Sequence, residues 1–299
     1  MLSLHTNVAS LSAQNSLSRT QSSLSTSMTR LSTGYRINSA MDDAAGLQIA
    51  TRLKSQSSGM AVAMRNTQNS ISMLQTADGA LNEVTNILTR MKDLATQAAD
   101  GSSSDDDKKA MDKEYNSLTD ELSNIFSNTK FGGTELLSTS ANGKLNAAAG
   151  ITFQIGADSS EKMTANFDTE LSAAGGVTDS ITTATTGFVS NAGGAPIAAS
   201  TGSILFTDAN TAIGSLNTAI DAVSTLRSKL GAVSNRLDHV YNNLSNISSN
   251  TQAATGRIMD VDFATESSSM TSNQMLMQAG TAMLKQTNSM SSMVMSLLQ

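Results

Sequence analysis

Cysteine and tryptophan are absent from this 299-residue chain, and proline occurs once, as Pro196. Without thiols there is no disulfide, no thiolate metal site and no cysteine nucleophile. Average usage would give a chain of this length about fifteen prolines; with one, almost nothing in the sequence interrupts a helix. Charged residues make up 15% and aromatics 3%, against about 25% charged in a typical domain. So few large aromatics disfavour a thick globular core and favour long, thin helices. The formal net charge is −6, and no basic run exceeds the Lys108-Lys109 pair, which argues against the clustered cationic face that phosphate recognition needs. No apolar stretch approaches the ~20 residues of a membrane span. The opening residues lack the basic start and continuous apolar region of a cleaved signal peptide. Neither nucleic acid nor membrane is expected as a partner, and the chain is expected to be cytoplasmic or exported with its terminus intact.

What the sequence does have is helical apolar spacing. From Met60 a seam runs through Met64, Thr67, Ile71, Leu74, Ala77, Leu81, Val84, Leu88, Met91, Ala95 and Ala98, and should stop near Asp100-Gly101. A second runs through Met111, Tyr115, Leu118, Leu122 and Ile125, closed by Phe131-Gly132-Gly133. The carboxyl-terminal half repeats the design through Ile213, Leu216, Ile220, Val223, Leu226, Leu230, Val233, Leu237, Val240, Leu244 and Ile247. Narrow seams of this kind bury against other helices. Residues 151–156 and 162–168 alternate with period two around a polar turn, as a β-hairpin does. Residues 171–203 are mostly Ala, Gly, Ser and Thr with a single charge, Asp179, and read as a small insert or loop. Both ends are amphipathic. Leu4, Val8, Leu11, Leu17, Leu24, Met28, Leu31 and Tyr35 mark one stripe, and Leu276, Gly280, Met283, Thr287, Met290, Val294 and Leu297 the other. Isolated helices are marginal in water, so these ends must pair with each other, with other subunits, or both.

The spacing therefore predicts a mainly α fold: a long antiparallel helical-bundle rod with paired terminal coiled-coil helices, a small β-hairpin region and a short central insert. The expected division is an inner helix over 1–42 paired with 258–299, a helical rod plus hairpin over 43–170, an insert over 171–204 and a return helix over 205–257.

Little points to chemistry. His5 and His239 are the only histidines, and no cluster of His, Asp or Glu stands at ligand spacing. Asp105-Asp106-Asp107 lacks the spaced ligands of a calcium loop and reads as an acidic helix start. The glycine pairs Gly132-Gly133, Gly175-Gly176 and Gly193-Gly194 precede no Lys-Ser/Thr pair and read as turns. No Gly-x-Ser-x-Gly elbow occurs. Eight of the seventeen methionines lie between Met259 and Met295, which fits adaptable packing better than metal binding. No enzyme, cofactor or metal site is expected. Asp42 and Asp43 are expected to cap the helix that begins at Ala44-Ala45-Gly46-Leu47.

From Arg30 to Ile49 (RLSTGYRINSAMDDAAGLQI) the chain closely resembles bacterial flagellins. Further matches are residues 90–97 (RMKDLATQ), 129–134 (TKFGGT), 230–236 (LGAVSNR), 262–266 (DFATE), 278–280 (QAG) and 296–298 (SLL). The resemblance covers residues 1–170 and 205–299, in order and at the family's spacing. The methionine-rich tail, the opening LSLHTN and the short middle are most similar to the lateral flagellins of swarming bacteria.

The resemblance implies an extracellular filament subunit for motility, exported unfolded by the flagellar type III apparatus and polymerising with itself under a cap. Implied partners are the cap and hook-associated proteins, an export chaperone at the C-terminal helix, and Toll-like receptor 5 for the monomer. The positions matching the receptor region are Arg90, Leu94, Gln97 and Glu114; Lys92, Asp93 and Thr96 depart from the family's usual Arg, Glu and Val. The terminal stripes, namely Leu4, Val8, Leu11, Leu24, Met28 and Leu31 with Leu276, Met283, Met290, Val294 and Leu297, are the expected polymerisation core. A hook–filament junction protein is the alternative. Such proteins tend to carry proline after the acidic pair, where this chain reads Asp42-Asp43-Ala44.

Overall fold

The computed structural model describes residues 7–138, 143–172, 174–185 and 204–297. The elements are α1 (Val8–Thr33), α2 (Ala44–Ala99), α3 (Asp105–Asn128), β1 (Lys130–Phe131), β2 (Thr134–Glu135), β3 (Ile151–Gln154), β4 (Lys162–Ala165), α4 (Asp168–Leu171), α5 (Val177–Ala184), α6 (Ile204–Met259) and α7 (Phe263–Leu297). The protein is mainly α, and the described residues include two small antiparallel strand pairs. The chain divides into two compact units, Met1–Ser57 with Ser249–Gln299, and Ser58–Ser248.

In the unit formed by the two chain ends, α1 and α7 run antiparallel. The Ser10 hydroxyl donates to Asn288 at 3.4 Å, Leu17 lies against Gly280, and Arg30 faces Glu266. α1 starts at Asn7, whose side chain accepts from the Ser10 amide, and stops at Gly34, whose φ of 76° and N–H donated to Arg30 O form a left-handed cap. Tyr35 is therefore not the last residue of the α1 stripe. It lies beyond the cap, in an isolated antiparallel bridge with Asp260. The α1 face turned to α7 carries Ala13, Leu17, Thr20, Leu24, Ser27 and Leu31; on α7 it carries Met270, Asn273, Met277, Gly280, Leu284 and Thr287. Leu4 lies outside the described residues, as do the side chains of Val294 and Leu297.

The other unit holds the larger core. The α2 seam from Met60 to Ala98 is buried at nearly every step, and packs with Leu216, Val223, Leu226, Leu230 and Leu237 of α6. Tyr115, Leu122 and Phe126 of α3 join the same core. The α6 seam bends away from the simple pattern at its end: Ile247 is exposed while Ser248 is buried. A straight helix drifts relative to a seven-residue repeat, so the buried stripe moves one place forward. Hydroxyls enter these seams because they close on their own helix. Thr67 Oγ1 donates to Ala63 O at 2.8 Å, Thr119 to Tyr115 O and Ser123 to Thr119 O, both at 3.0 Å, and none then needs an external partner.

The alternating segments form the β3–β4 hairpin, paired Ile151↔Ala165 to Gln154↔Lys162, with Phe153 and Met163 buried. Two features differ from the sequence reading. Phe131-Gly132-Gly133 does not simply close a helix: it starts a second hairpin, β1–β2, whose two-residue turn has positive φ at both glycines, as a type I′ turn requires. Within 171–203, residues 177–184 are not loop but the helix α5. Its Val177, Ile181 and Ala184 are buried, and Ala184 O accepts from the Tyr115 hydroxyl at 2.7 Å. Burial and the nearby Asp112 push the Tyr115 phenol well above its ordinary range. Residues 173 and 186–203 of that expected insert lie outside the described residues.

Candidate functional site

Among the described residues no group of three His, Cys, Asp or Glu side chains could hold a metal ion, and no helix is long and apolar enough to cross a membrane. The features that could do work are faces of helices and the segment where α1 ends.

That segment, residues 34–43, is held by backbone and carboxylates. Arg36 N donates to Met259 O at 2.6 Å, Val261 N to Gly34 O at 3.0 Å, and Arg36 Nη2 to Ile258 O at 2.9 Å. The two acidic residues divide the labour. Asp43 caps α2, its Oδ1 accepting from Gly46 N at 2.8 Å. Asp42 does not cap that helix; it turns back to accept from Ser39 N at 2.9 Å, Asn38 N at 3.1 Å and the Ser39 hydroxyl. Those bonds, the Ser39 amide first, hold its carboxyl below the ordinary value of 3.8, with a small contribution from Arg30. Arg30 stands between Asp42 at 4.0 Å and Glu266 at 3.7 Å, so one guanidinium links α1, the segment and α7. Gly46 is buried; a Cβ there would press on the Asp43 carboxylate and lie 2.9 Å from Ile37 Cδ1.

The terminal stripes are split by the pairing. Leu24 is buried and Leu31 half-buried, but Val8, Leu11 and Met28 on α1 are more than half exposed, as are Leu276, Met283 and Met290 on α7. Two heptad rows alternate along α7: residues 270, 277 and 284 turn to α1, and 276, 283 and 290 turn outward. Sequence period alone marks both rows and cannot tell which one meets the partner helix.

The four residues at 90–114 also divide. Arg90 Nε and Nη2 both reach Glu114 Oε1, at 2.9 and 2.8 Å, joining α2 to α3 on an exposed face that also carries Gln97. Leu94 is 2% exposed. It belongs to the core and offers no surface to a receptor, because the alternation of three and four that buries Met91 and Ala95 carries Leu94 inward with them.

Comparison with known proteins matches residues 4–142 to the bacterial flagellin N-terminal helical region and residues 213–298 to the bacterial flagellin C-terminal helical region. The chain belongs to the bacterial flagellin family. Flagellin B of Vibrio cholerae serotype O1 is 49% identical over 160 residues, covering 54% of this chain and 41% of that one. Polar flagellin F of Vibrio parahaemolyticus serotype O3:K6 is 51% identical over 160 residues, with the same coverage. The match thus spans about two fifths of the length of these relatives. The crystal structure of Bacillus cereus flagellin is 35% identical, covering 64% of this chain and 94% of that one, with a TM-score of 0.46. In this flagellin both matched regions contribute to each compact unit, so the unit made of the two chain ends exists only when the first and last segments of the sequence meet.

Proposed function

We propose that this flagellin is a structural, non-enzymatic subunit that polymerises into an extracellular flagellar filament for motility. The observation that carries this reading is the outward apolar row of α7, together with the exposed apolar side chains that α1 keeps after pairing. A two-helix unit is thin, and pairing α1 with α7 leaves Val8, Leu11, Met28, Leu276, Met283 and Met290 largely in water. The heptad row Leu276, Met283 and Met290 marks an interaction face on α7, and burying about 100 Å² of apolar surface contributes about 2.5 kcal/mol. Further copies of the chain cover those side chains, so ordering of the ends is coupled to assembly and depends on concentration. The helices over 1–42 and 258–299 are the polymerisation device, and 43–170 with 205–257 form the rest of the subunit.

The test is nucleated growth: purified protein added to filament seeds gives long filaments under the electron microscope. Short rings in place of filaments would favour the hook–filament junction reading, and no assembly at all would sink both.

Two further roles belong to the same proposal. The chain is exported unfolded by the flagellar type III route, with a chaperone holding the C-terminal helix, and it elongates beneath a cap on a base of hook-associated proteins. The outward row of α7 supports this, since it needs cover before assembly. The monomer is also a ligand of Toll-like receptor 5, through the exposed Arg90–Glu114 pair and Gln97; Leu94 supports that face from inside.

A further inference from the structure

We infer that the outward methionines of the terminal helices and of the segment between α1 and α2 are a modification site for two-electron oxidants, and that their oxidation blocks assembly. The chain has seventeen methionines, and those among the described residues fall into exposed, half-buried and buried groups. Met41 is 97% exposed, and Met28, Met275, Met283 and Met290 are each more than half exposed. Met60, Met91, Met111 and Met163 are buried. On α7 the sorting falls within a single helix: Met270 and Met277, on the row turned to α1, are half-buried, whereas Met283 and Met290 stand on the outer row. Thioether oxidation follows exposure, so the fold itself selects which sulfurs react. With no cysteine in the chain, no thiol competes for the oxidant.

The step balances without a cofactor. The sulfur lone pair attacks one oxygen of a peroxide, the O–O bond breaks, an S–O bond forms and water leaves. Sulfur is oxidised by two electrons and the peroxide is reduced. The product is a polar, chiral sulfoxide in place of a flexible apolar side chain. Burying it unpaired against a neighbouring copy is unfavourable, whereas the Ser58–Ser248 unit, whose buried methionines are shielded, keeps its packing. The effect on assembly rests on the polymerisation reading; the selectivity of oxidation does not.

Limited treatment of the full-length monomer with hydrogen peroxide, followed by peptide mass spectrometry, reads the selectivity. Met28, Met41, Met275, Met283 and Met290 should gain one oxygen at least about tenfold faster than Met60, Met91, Met111 and Met163. Equal rates in the two groups would overturn the site. The treated monomer, with unchanged helicity, should fail to elongate seeds, and methionine sulfoxide reductases of both stereospecificities together should restore growth. Normal elongation of fully oxidised monomer would overturn the block. Failure of untreated monomer to elongate would instead remove the polymerisation reading, and the block with it, leaving the oxidation map to decide the site alone.

Discussion

Leu94 and Arg90 lie one helical turn apart on α2 and do opposite jobs. Leu94 is a core residue, and truncating such a side chain leaves a cavity. Leu94→Ala should cost about 2–5 kcal/mol in urea unfolding, and any loss of receptor activation would follow from lost folding. Arg90 makes an exposed pair with Glu114, of a kind worth about 0–1 kcal/mol. Arg90→Ala should unfold almost as the parent does, yet activate receptor-bearing cells less at limiting dose. A stable Leu94 variant, or a fully active Arg90 variant, would contradict these assignments. The acidic pair makes a similar contrast. Asp43→Ala removes the cap of α2 and should cost about 1 kcal/mol. Asp42→Ala instead frees the 38–39 amides and one side of Arg30. That variant should raise amide hydrogen exchange in residues 36–42 while leaving the first turn of α2 protected. The sequence marked both aspartates as caps, because neighbouring acids before a helix look alike until the chain turns.

At the level of elements, helix starts share one device. Asp107 closes a capping box with Ser104; Asp208, at a non-helical break inside α6 (φ −158°, ψ 71°), holds Thr211 where the helix resumes; and Asp262 holds Ala264 and Thr265. Each carboxyl is held below the ordinary 3.8, first by its Ser or Thr hydroxyl and then by backbone amides. The native pKa is the lower one, so the caps stabilise the helices fully above 3.8, and that contribution is lost as the pH falls below it. Circular dichroism between about pH 5 and about pH 2.5 should show the urea midpoint dropping, with α3 and α7 fraying at their first turns and α6 at the turn that follows Asp208. An unchanged midpoint would mean the caps are idle. Most of these elements were legible: the α2 and α6 seams and the β3–β4 hairpin follow from spacing alone. What was not legible failed for local reasons. α5 is a short run of Val, Thr, Ser and Ile, weak helix formers, and only its burial beside Tyr115 makes it a helix. The β1–β2 turn carried its Gly-Gly signal plainly, but strands of two residues leave no alternation to read.

For the molecule as a whole, the sequence placed the two ends together but not their orientation about the shared axis, which decides what remains outside. That choice gives a test of roles. A fragment of residues 43–257 should stay helical and soluble, keep the core formed by α2, α3 and α6, and fail to elongate seeds. A fragment that elongates like the full chain would move the polymerisation device elsewhere; one that loses its helicity would show that the terminal helices support the core itself.

The ion pairs of Arg30 with its two acids, Arg90–Glu114, Lys109–Asp106, Lys130–Glu135, Arg227–Asp78 and Lys229–Glu170 are all partly exposed. The core is instead closed by aliphatic seams and by hydroxyls bonded to their own helices. Salt screens exposed charges over about 10 Å at 0.1 M and about 3 Å at 1 M, and here it has little to weaken. The melting temperature of the monomer should move by only a few degrees between about 0.01 M and about 1 M sodium chloride. A protein held this way is indifferent to whether the water around it is fresh or marine.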